Sequence, residues 1–321
     1  MKYIHSQLCN DITVTPGQTQ SYDLPINPVT MILLTMRWVQ ARTGPYSYSQ
    51  LDGILSVINK IDITYKGRTL YSASGQDAVM LSRLISGAEP VLHNAIDNDN
   101  AIRMCTIPIA LAPYLYSPDW ASPASKRGEL QLQITCAAPP AIITSATYGI
   151  EVVELEGANP TCYMQCTPHA ILPAATGMID IDLPIGNDIC GIMLRAAKVP
   201  DNTNDLCSIR SAALLIDNRE EYISYASWAA LRAHAQMRAP EMVGNTRHQH
   251  ALGDVVAGAW TTETILAPSY TEHYGYIDLM PAGIEDYILA TAGHSRIHLS
   301  IDCGDTSQII AYPILRCALT Q

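Results

Sequence analysis

Two seven-residue stretches decide how this chain is read: Leu130-Gln-Leu-Gln-Ile-Thr-Cys136 and Ile297-His-Leu-Ser-Ile-Asp-Cys303. Each carries an apolar side chain at every second position, the period of a strand with one face in a core. Each also ends in cysteine, and the likeness extends along both halves of the sequence. Gly17 to Ile26 pairs with Gly177 to Ile185, sharing Asp-Leu-Pro-Ile outright. Met31 to Trp38 pairs with Gly191 to Lys198, both apolar and both passing through an arginine. Ile61 to Tyr71 pairs with Ala212 to Tyr222, so that Gly67-Arg68 falls on Asn218-Arg219. Gly67 and Asn218 are the structural turn positions, since glycine or asparagine is what a tight turn with positive φ demands. These matches run in one order at offsets of about 150 to 170 residues, which predicts two copies of one fold.

Tyr148 to Glu156, Ile179 to Leu183, Tyr276 to Met280 and Ile309 to Leu315 also read as strands, with turn signals between the short segments. The predicted fold class is therefore mostly β, a sandwich or barrel in each copy. One short helix is expected per copy at the same place. The first runs near Ser74 to Ser86, with Ala78, Leu81 and Ile85 on one face, Asp77 in the first turn and Gly87 as a cap. The second runs near Ser224 to Arg238, with Trp228, Leu231 and Ala235 on one face and Pro240 as the stop. A longer helix from Asn218 as N-cap is the alternative, and the repeat favours the turn there. A Pro-, Ala- and Thr-rich linker is placed at 158–175, which gives domains of 1–157 and 176–321.

Composition narrows the function. A chain of 321 residues and 35.0 kDa suits roughly two domains. Apolar residues reach 48% and charged residues only 15%, against about 25% charge in ordinary soluble domains. Disorder is excluded for the bulk of the chain, and a surface this poor in charge points to burial against other subunits. The net charge of −11 argues against a broad nucleic-acid face. Phenylalanine is absent while tyrosine occurs 17 times, a bias with no physical account beyond the extra hydroxyl of tyrosine. Nine scattered cysteines without a C-x-x-C pair read as reduced thiols in a cytosolic setting. The N-terminus lacks the apolar core of a secretory signal. The uncharged stretches Leu130 to Ile150 and Ala158 to Ile179 hold prolines and polar residues that a membrane helix disfavours.

A duplicated, mostly-β chain with one helix per copy resembles the double jelly-roll major capsid proteins of icosahedral viruses with an internal membrane, the corticovirus-type phage protein above all. That family opens with a Gly-led strand ending in Leu-Pro-Ile, matched by Gly17 to Ile26. Its alternating strand, tight Gly-Arg turn and helix are matched by Ile61 to Ile85, and its first barrel closes on a strand like Leu130 to Cys136. The chain is longer than the smallest members, and the extra length is expected in loops such as Ala41 to Leu55 and Arg238 to Tyr276. The resemblance implies two eight-stranded jelly rolls and a homotrimer, pseudo-hexagonal because six barrels stand side by side. It also implies tiling of an icosahedral virion shell around a lipid vesicle. Neighbouring trimers, penton and minor capsid proteins and the internal membrane are the implied partners. It implies no enzyme, no cofactor and no sequence-specific nucleic-acid partner, with assembly in the host cytoplasm.

The enzymatic alternative is a bicupin-like metal site at His248, His250 and Asp254, where alternate strand residues could grip an ion. The second element of that motif is missing, because Pro281-Ala-Gly283 is followed by Ile-Glu-Asp rather than histidine. Cys162, Cys166 and His169 read as free side chains rather than a partial metal cluster. Asp97 to Asn100 and Asp201 to Asp205 place oxygens as calcium loops do, but lack the glycine and glutamate of an EF-hand and read as solvated turns. Arg232, Arg238, Arg247 and His248 form a locally basic stretch that reads as a solvated face. A lectin-like sandwich finds little support, with only four Trp residues for sugar stacking.

Overall fold

A computed structural model describes residues 1–40, 51–93, 101–141, 143–200, 205–239 and 270–319. The first half runs β1 (Lys2–Thr13), β2 (Thr19–Asp23), β3 (Val29–Gln40), the short helix α1 (Leu51–Leu55), β4 (Ile58–Tyr65), β5 (Arg68–Ala73) and α2 (Gly75–Ser86). It continues through β6 (Val91–His93), β7 (Ala101–Ala110), β8 (Leu130–Cys136) and β9 (Ile143–Glu156). The second half runs β10 (Cys162–Cys166), β11 (His169–Ile171), β12 (Gly177–Asp182), β13 (Asp188–Ala196), β14 (Ile209–Ile216), β15 (Arg219–Ser227) and α3 (Trp228–Arg238). It closes with β16 (Tyr274–Asp278), β17 (Ile297–Cys303) and β18 (Ile309–Ala318). The alternation that marked Leu130 to Cys136 is physical: Leu130, Leu132, Ile134 and Cys136 are buried, and the residues between them are half-exposed.

The two halves share one topology, strand for strand. In the first, β2-β8-β4-β5 faces β1-β9-β3-β7, with β6 added at the edge of the latter. In the second, β12-β17-β14-β15 faces a sheet in which β18 lies between β13 and the broken strand β10/β11, with β16 outside β13. Each half is thus an eight-stranded jelly roll, antiparallel within itself. One parallel bridge, Cys166 to Tyr71, joins β10 to β5 and merges two of the sheets across the boundary. Because that bridge is parallel, corresponding loops of the two barrels emerge at the same end of the molecule. The interior of the second barrel is its own apolar cluster around Ile192, Leu214, Leu299 and Ile301. The core of the first extends across the boundary to Met193, Tyr274, Tyr276 and Tyr312.

Both helices occupy the same place in the repeat and start on a serine N-cap. The Ser74 side chain accepts from the Asp77 N–H and that of Ser227 from the Ala230 N–H. Gly87 ends α2 in the left-handed region at φ 72°. Gly75 permits the tight entry to α2, since a Cβ there would stand 2.4 Å from the Leu55 carbonyl oxygen. The second helix begins at Trp228 rather than near Ser224, because β15 keeps its pairing with β14 as far as Ser227. The longer helix from Asn218 does not form, since Arg219 to Ser227 is strand. The 158–175 stretch, expected as a linker, carries β10 and β11, interrupted at Thr167-Pro168 where proline lacks the N–H a ladder needs. Of the loops expected to hold extra length, Leu51–Leu55 forms α1, whereas 41–50 and 240–269 lie outside the described residues.

The equivalent hairpins β4–β5 and β14–β15 turn through pairs of residues with positive φ. Lys66 and Gly67 stand at 48° and 79°, Asp217 and Asn218 at 49° and 63°, the backbone of a two-residue hairpin turn. Replacing Gly67 with valine is expected to cost about 1–2 kcal/mol, because a branched Cβ is strained there, and Asn218→Gly to be near neutral. Thermal melts check both, and equal tolerance of valine and glycine at each site would contradict the turn geometry. Asp217 adds a pH dependence. Its carboxylate accepts from the Ser295 hydroxyl, the His294 ring and the N–H groups of Ser295 and Arg296, which hold its pKa well below the usual range. A lowered folded pKa means the stabilisation is present above the unfolded value of about 4 and is lost as pH falls through the folded one. Asp217→Asn should therefore start less stable at neutral pH and lose less on acidification below about pH 4 than the parent.

Candidate assembly surface and the seam between the barrels

Asp77 ties the two barrels together. It sits in the first turn of α2 at 1% exposure, where a carboxylate is favoured by the helix dipole and the free N–H groups. The Ser74 hydroxyl donates to it at 2.6 Å. Three further donors come from the second barrel: Arg195 on β13 at 3.1 Å, the Tyr274 hydroxyl on β16 at 2.7 Å and the Tyr312 hydroxyl on β18 at 2.8 Å. Burial, with the Asp77 charge beside them, raises both tyrosine pKa values, so both remain hydroxyl donors. Four donors thus surround one buried charge, the condition under which burying it is tolerable.

The helices exchange arginines as well. Arg238 of α3 donates to the Leu84 and Ile85 carbonyls at the end of α2, and Arg83 of α2 donates to the Ala239 carbonyl after α3. Each guanidinium satisfies carbonyls that the other helix leaves unpaired at its C-terminus. At the end of the seam where β18 finishes, Arg316 bridges Asp188 at 2.6 Å and Glu285 at 2.9 Å, and the Trp120 indole donates to Glu285 at 3.1 Å. These residues line a cleft of about 640 Å³ between the barrels. Its cation is already paired with two carboxylates, and its thiol, Cys162, is pushed by burial to about 11, where little nucleophilic thiolate forms.

Among the described residues no three His, Cys, Asp or Glu side chains gather as a metal site. Cys162 and Cys166 stand four residues apart on one strand, hence about 13 Å apart, too far to share an ion. His169 lies on β11, where burial lowers its pKa. All nine cysteines are free thiols, and burial raises Cys105 and Cys190 to about 12. His248, His250 and Asp254 lie outside the described residues, as do Asp97 to Asn100 and 201–204 of the second acidic loop. No helix among the described residues is long and apolar enough to cross a membrane. Asp77 is legible in the sequence as an acid in a helix first turn, but its three second-barrel donors, 118 to 235 residues away, are not.

The fold defines a class: the chain is a double jelly roll of the kind seen in viral major capsid proteins, matched over nearly its whole length. The major capsid protein of STIV, Sulfolobus Turreted Icosahedral Virus, is similar at TM-score 0.68 and 14% identity, over 99% of this chain and 97% of that one. The major capsid protein P2 of bacteriophage PM2 matches at TM-score 0.62 and 12% identity, over 100% and 99%. The capsid of PBCV-1 matches at 0.59 and 11%, over 99% and 94%. No protein-family model and no curated protein sequence matches the chain.

Removing the central carboxylate tests the seam. Asp77→Ala leaves Arg195 and two tyrosine hydroxyls without their acceptor, and is expected to cost about 3 kcal/mol or more. The double variant Asp77→Leu with Arg195→Met should recover part of that loss, since replacing both partners is milder than stranding one. Denaturant melts of the two variants and the parent check the order.

Proposed function

We propose that the chain is a major capsid protein whose function lies in its interfaces. In this reading it forms a homotrimer, pseudo-hexagonal because three chains supply six barrels. Trimers tile an icosahedral shell around an internal membrane, with penton and minor capsid proteins at special positions. It acts in the virion after assembly in the host cytoplasm, as no enzyme, and needs neither cofactor nor metal. Its building blocks are taken as 1–157 and 176–321, with the intervening 158–175 lending β10 and β11 to the second barrel's sheet.

The observation that carries this reading is the parallel standing of two like barrels on one rigid seam, a shape suited to tiling. Low charge supports it, because interface cores are depleted in charge. Membrane contact is supported by side chains at the shared end of the two barrels where the β2–β3 and β12–β13 loops turn, the end at which Trp120 bridges to Cys162. Ile26 and Ile185, equivalent residues of the repeated Asp-Leu-Pro-Ile, are exposed there. Tyr114 and Tyr116 from the β7–β8 loop and Ile284 and Tyr287 from the equivalent β16–β17 loop join them. Tyrosine is favoured where a protein surface meets a lipid headgroup layer, because its ring is apolar and its hydroxyl polar.

Light scattering at micromolar concentration and neutral pH is expected to give three times the chain mass, since obligate interfaces bury roughly 2,000–5,000 Å² and do not dissociate at that dilution. Negative-stain images should show hexagonal outlines. A mass near one chain contradicts the reading, and a dimer favours the metal-enzyme alternative.

A further inference from the structure

At the end where the β2–β3 and β12–β13 loops turn, the two barrels share a backbone but not a charge pattern. In the first barrel, the β4–β5 turn Lys66-Gly67-Arg68 lies beside Lys126-Arg127-Gly128-Glu129, the loop that leads into β8. The Lys66 N–H joins them by donating to the Glu129 carbonyl at 2.8 Å. In the second, Asp217-Asn218-Arg219 lies beside Gly293-His294-Ser295-Arg296, joined by the Asp217 N–H to the Arg296 carbonyl at 2.9 Å. Lys66 thus corresponds to Asp217, and Glu129 to Arg296. Asp23 and Asp182, from the repeated Asp-Leu-Pro-Ile, stand at equivalent places on the two rims.

The second rim is closed on itself. Asp217 accepts from the His294 ring, the Ser295 hydroxyl and the N–H groups of Ser295 and Arg296, and the Arg296 guanidinium spans Asp182 at 2.7 Å and Asp180 at 3.3 Å. The first rim is not. Lys66 comes no nearer to Glu129 than 3.9 Å, and Arg127 no nearer to Asp23 than 4.0 Å, with the Arg127 side chain 93% exposed. Arg68 donates to the neutral amide oxygen of Gln165 at 3.3 Å. Lys126 is exposed, and no carboxylate among the described residues pairs with its ammonium. Glu129 accepts instead from the Lys126 N–H at 2.9 Å, which fixes the loop and leaves the charge free. Four cations therefore share two loosely held carboxylates, and exposed pairs at such distances contribute little.

We infer that Lys66, Arg68, Lys126 and Arg127 bind the phosphates of anionic lipid headgroups, so that the first barrel, and not the second, carries the electrostatic contact with a bilayer. The inference rests on the membrane contact proposed above. Lipid is the occupant because of what stands among the cations. The Ser125 N–H donates to the Ile26 carbonyl at 3.1 Å and its hydroxyl to the Pro25 carbonyl at 3.4 Å, which holds the Lys126 loop against Ile26, itself 59% exposed. The Lys66 ammonium stands 5.0 Å from the centre of the Tyr65 ring. An apolar tip ringed by long cationic side chains suits a bilayer interface, where the tip enters the acyl boundary and the charged ends stay with the phosphates. A nucleic acid would meet the same cations but gain nothing from the exposed isoleucine. A chain of net charge −11 is repelled on average by an anionic surface, so the rim also orients the molecule, basic end toward lipid. Each cation near such a surface tightens binding about fivefold.

Vesicle flotation separates this surface from the capsid reading. At low salt the parent protein is expected to bind vesicles of phosphatidylcholine mixed with phosphatidylglycerol at least tenfold more tightly than pure phosphatidylcholine, and to lose that preference in high salt. Lys126→Gln with Arg127→Gln should weaken binding to the mixed vesicles at least tenfold. Lys60→Gln with Arg210→Gln removes the same charge from exposed side chains at the opposite end of the strands and should leave binding unchanged. Equal losses in the two double variants, or equal binding to both kinds of vesicle, would overturn the rim as a lipid site and leave the capsid reading standing. A DNA duplex bound more tightly than the mixed vesicles, and lost in the rim variant alone, would overturn lipid as the occupant. Single chains by light scattering in the parent protein would overturn the capsid reading itself. Melts confirm that each variant folds.

Discussion

The buried carboxylate of Asp77 is the constraint on which the rest of the structure depends. A helix first turn can hold a negative charge in solvent for a small gain. Holding it at 1% exposure demands donors on every side. Those donors are fixed on three strands of the other barrel, Arg195 on β13, Tyr274 on β16 and Tyr312 on β18. One side chain thereby sets the position of α2 against a whole sheet. Slippage of the barrels would strand the charge, which makes the seam a rigid joint rather than a hinge.

Much of the fold was legible because period-two alternation and duplication reinforce each other. A strand such as Leu130 to Cys136 could be read from its own pattern, and Ile297 to Cys303 confirmed it by recurring in order. The parts that were not legible have physical reasons. Cys162 to Cys166 forms β10, yet it is covered on both faces by the seam and shows no clean alternation. The start of α3 was misplaced because Ser224 and Ser227 are equally good caps in sequence, and only the pairing of β15 with β14 chooses between them. The Asp77 network was invisible because its partners come from distant strands that touch only after both barrels exist.

The exchange of Arg83 and Arg238 between helix ends shows why the internal seam can afford charge at all. Chain connectivity holds these partners at high effective concentration, so their desolvation is met once, during folding, by groups already in place. A surface that must wait exposed before meeting another copy has a different problem. There an acid like Asp77 would be hydrated while free and would lose that hydration on docking, with a net gain near zero.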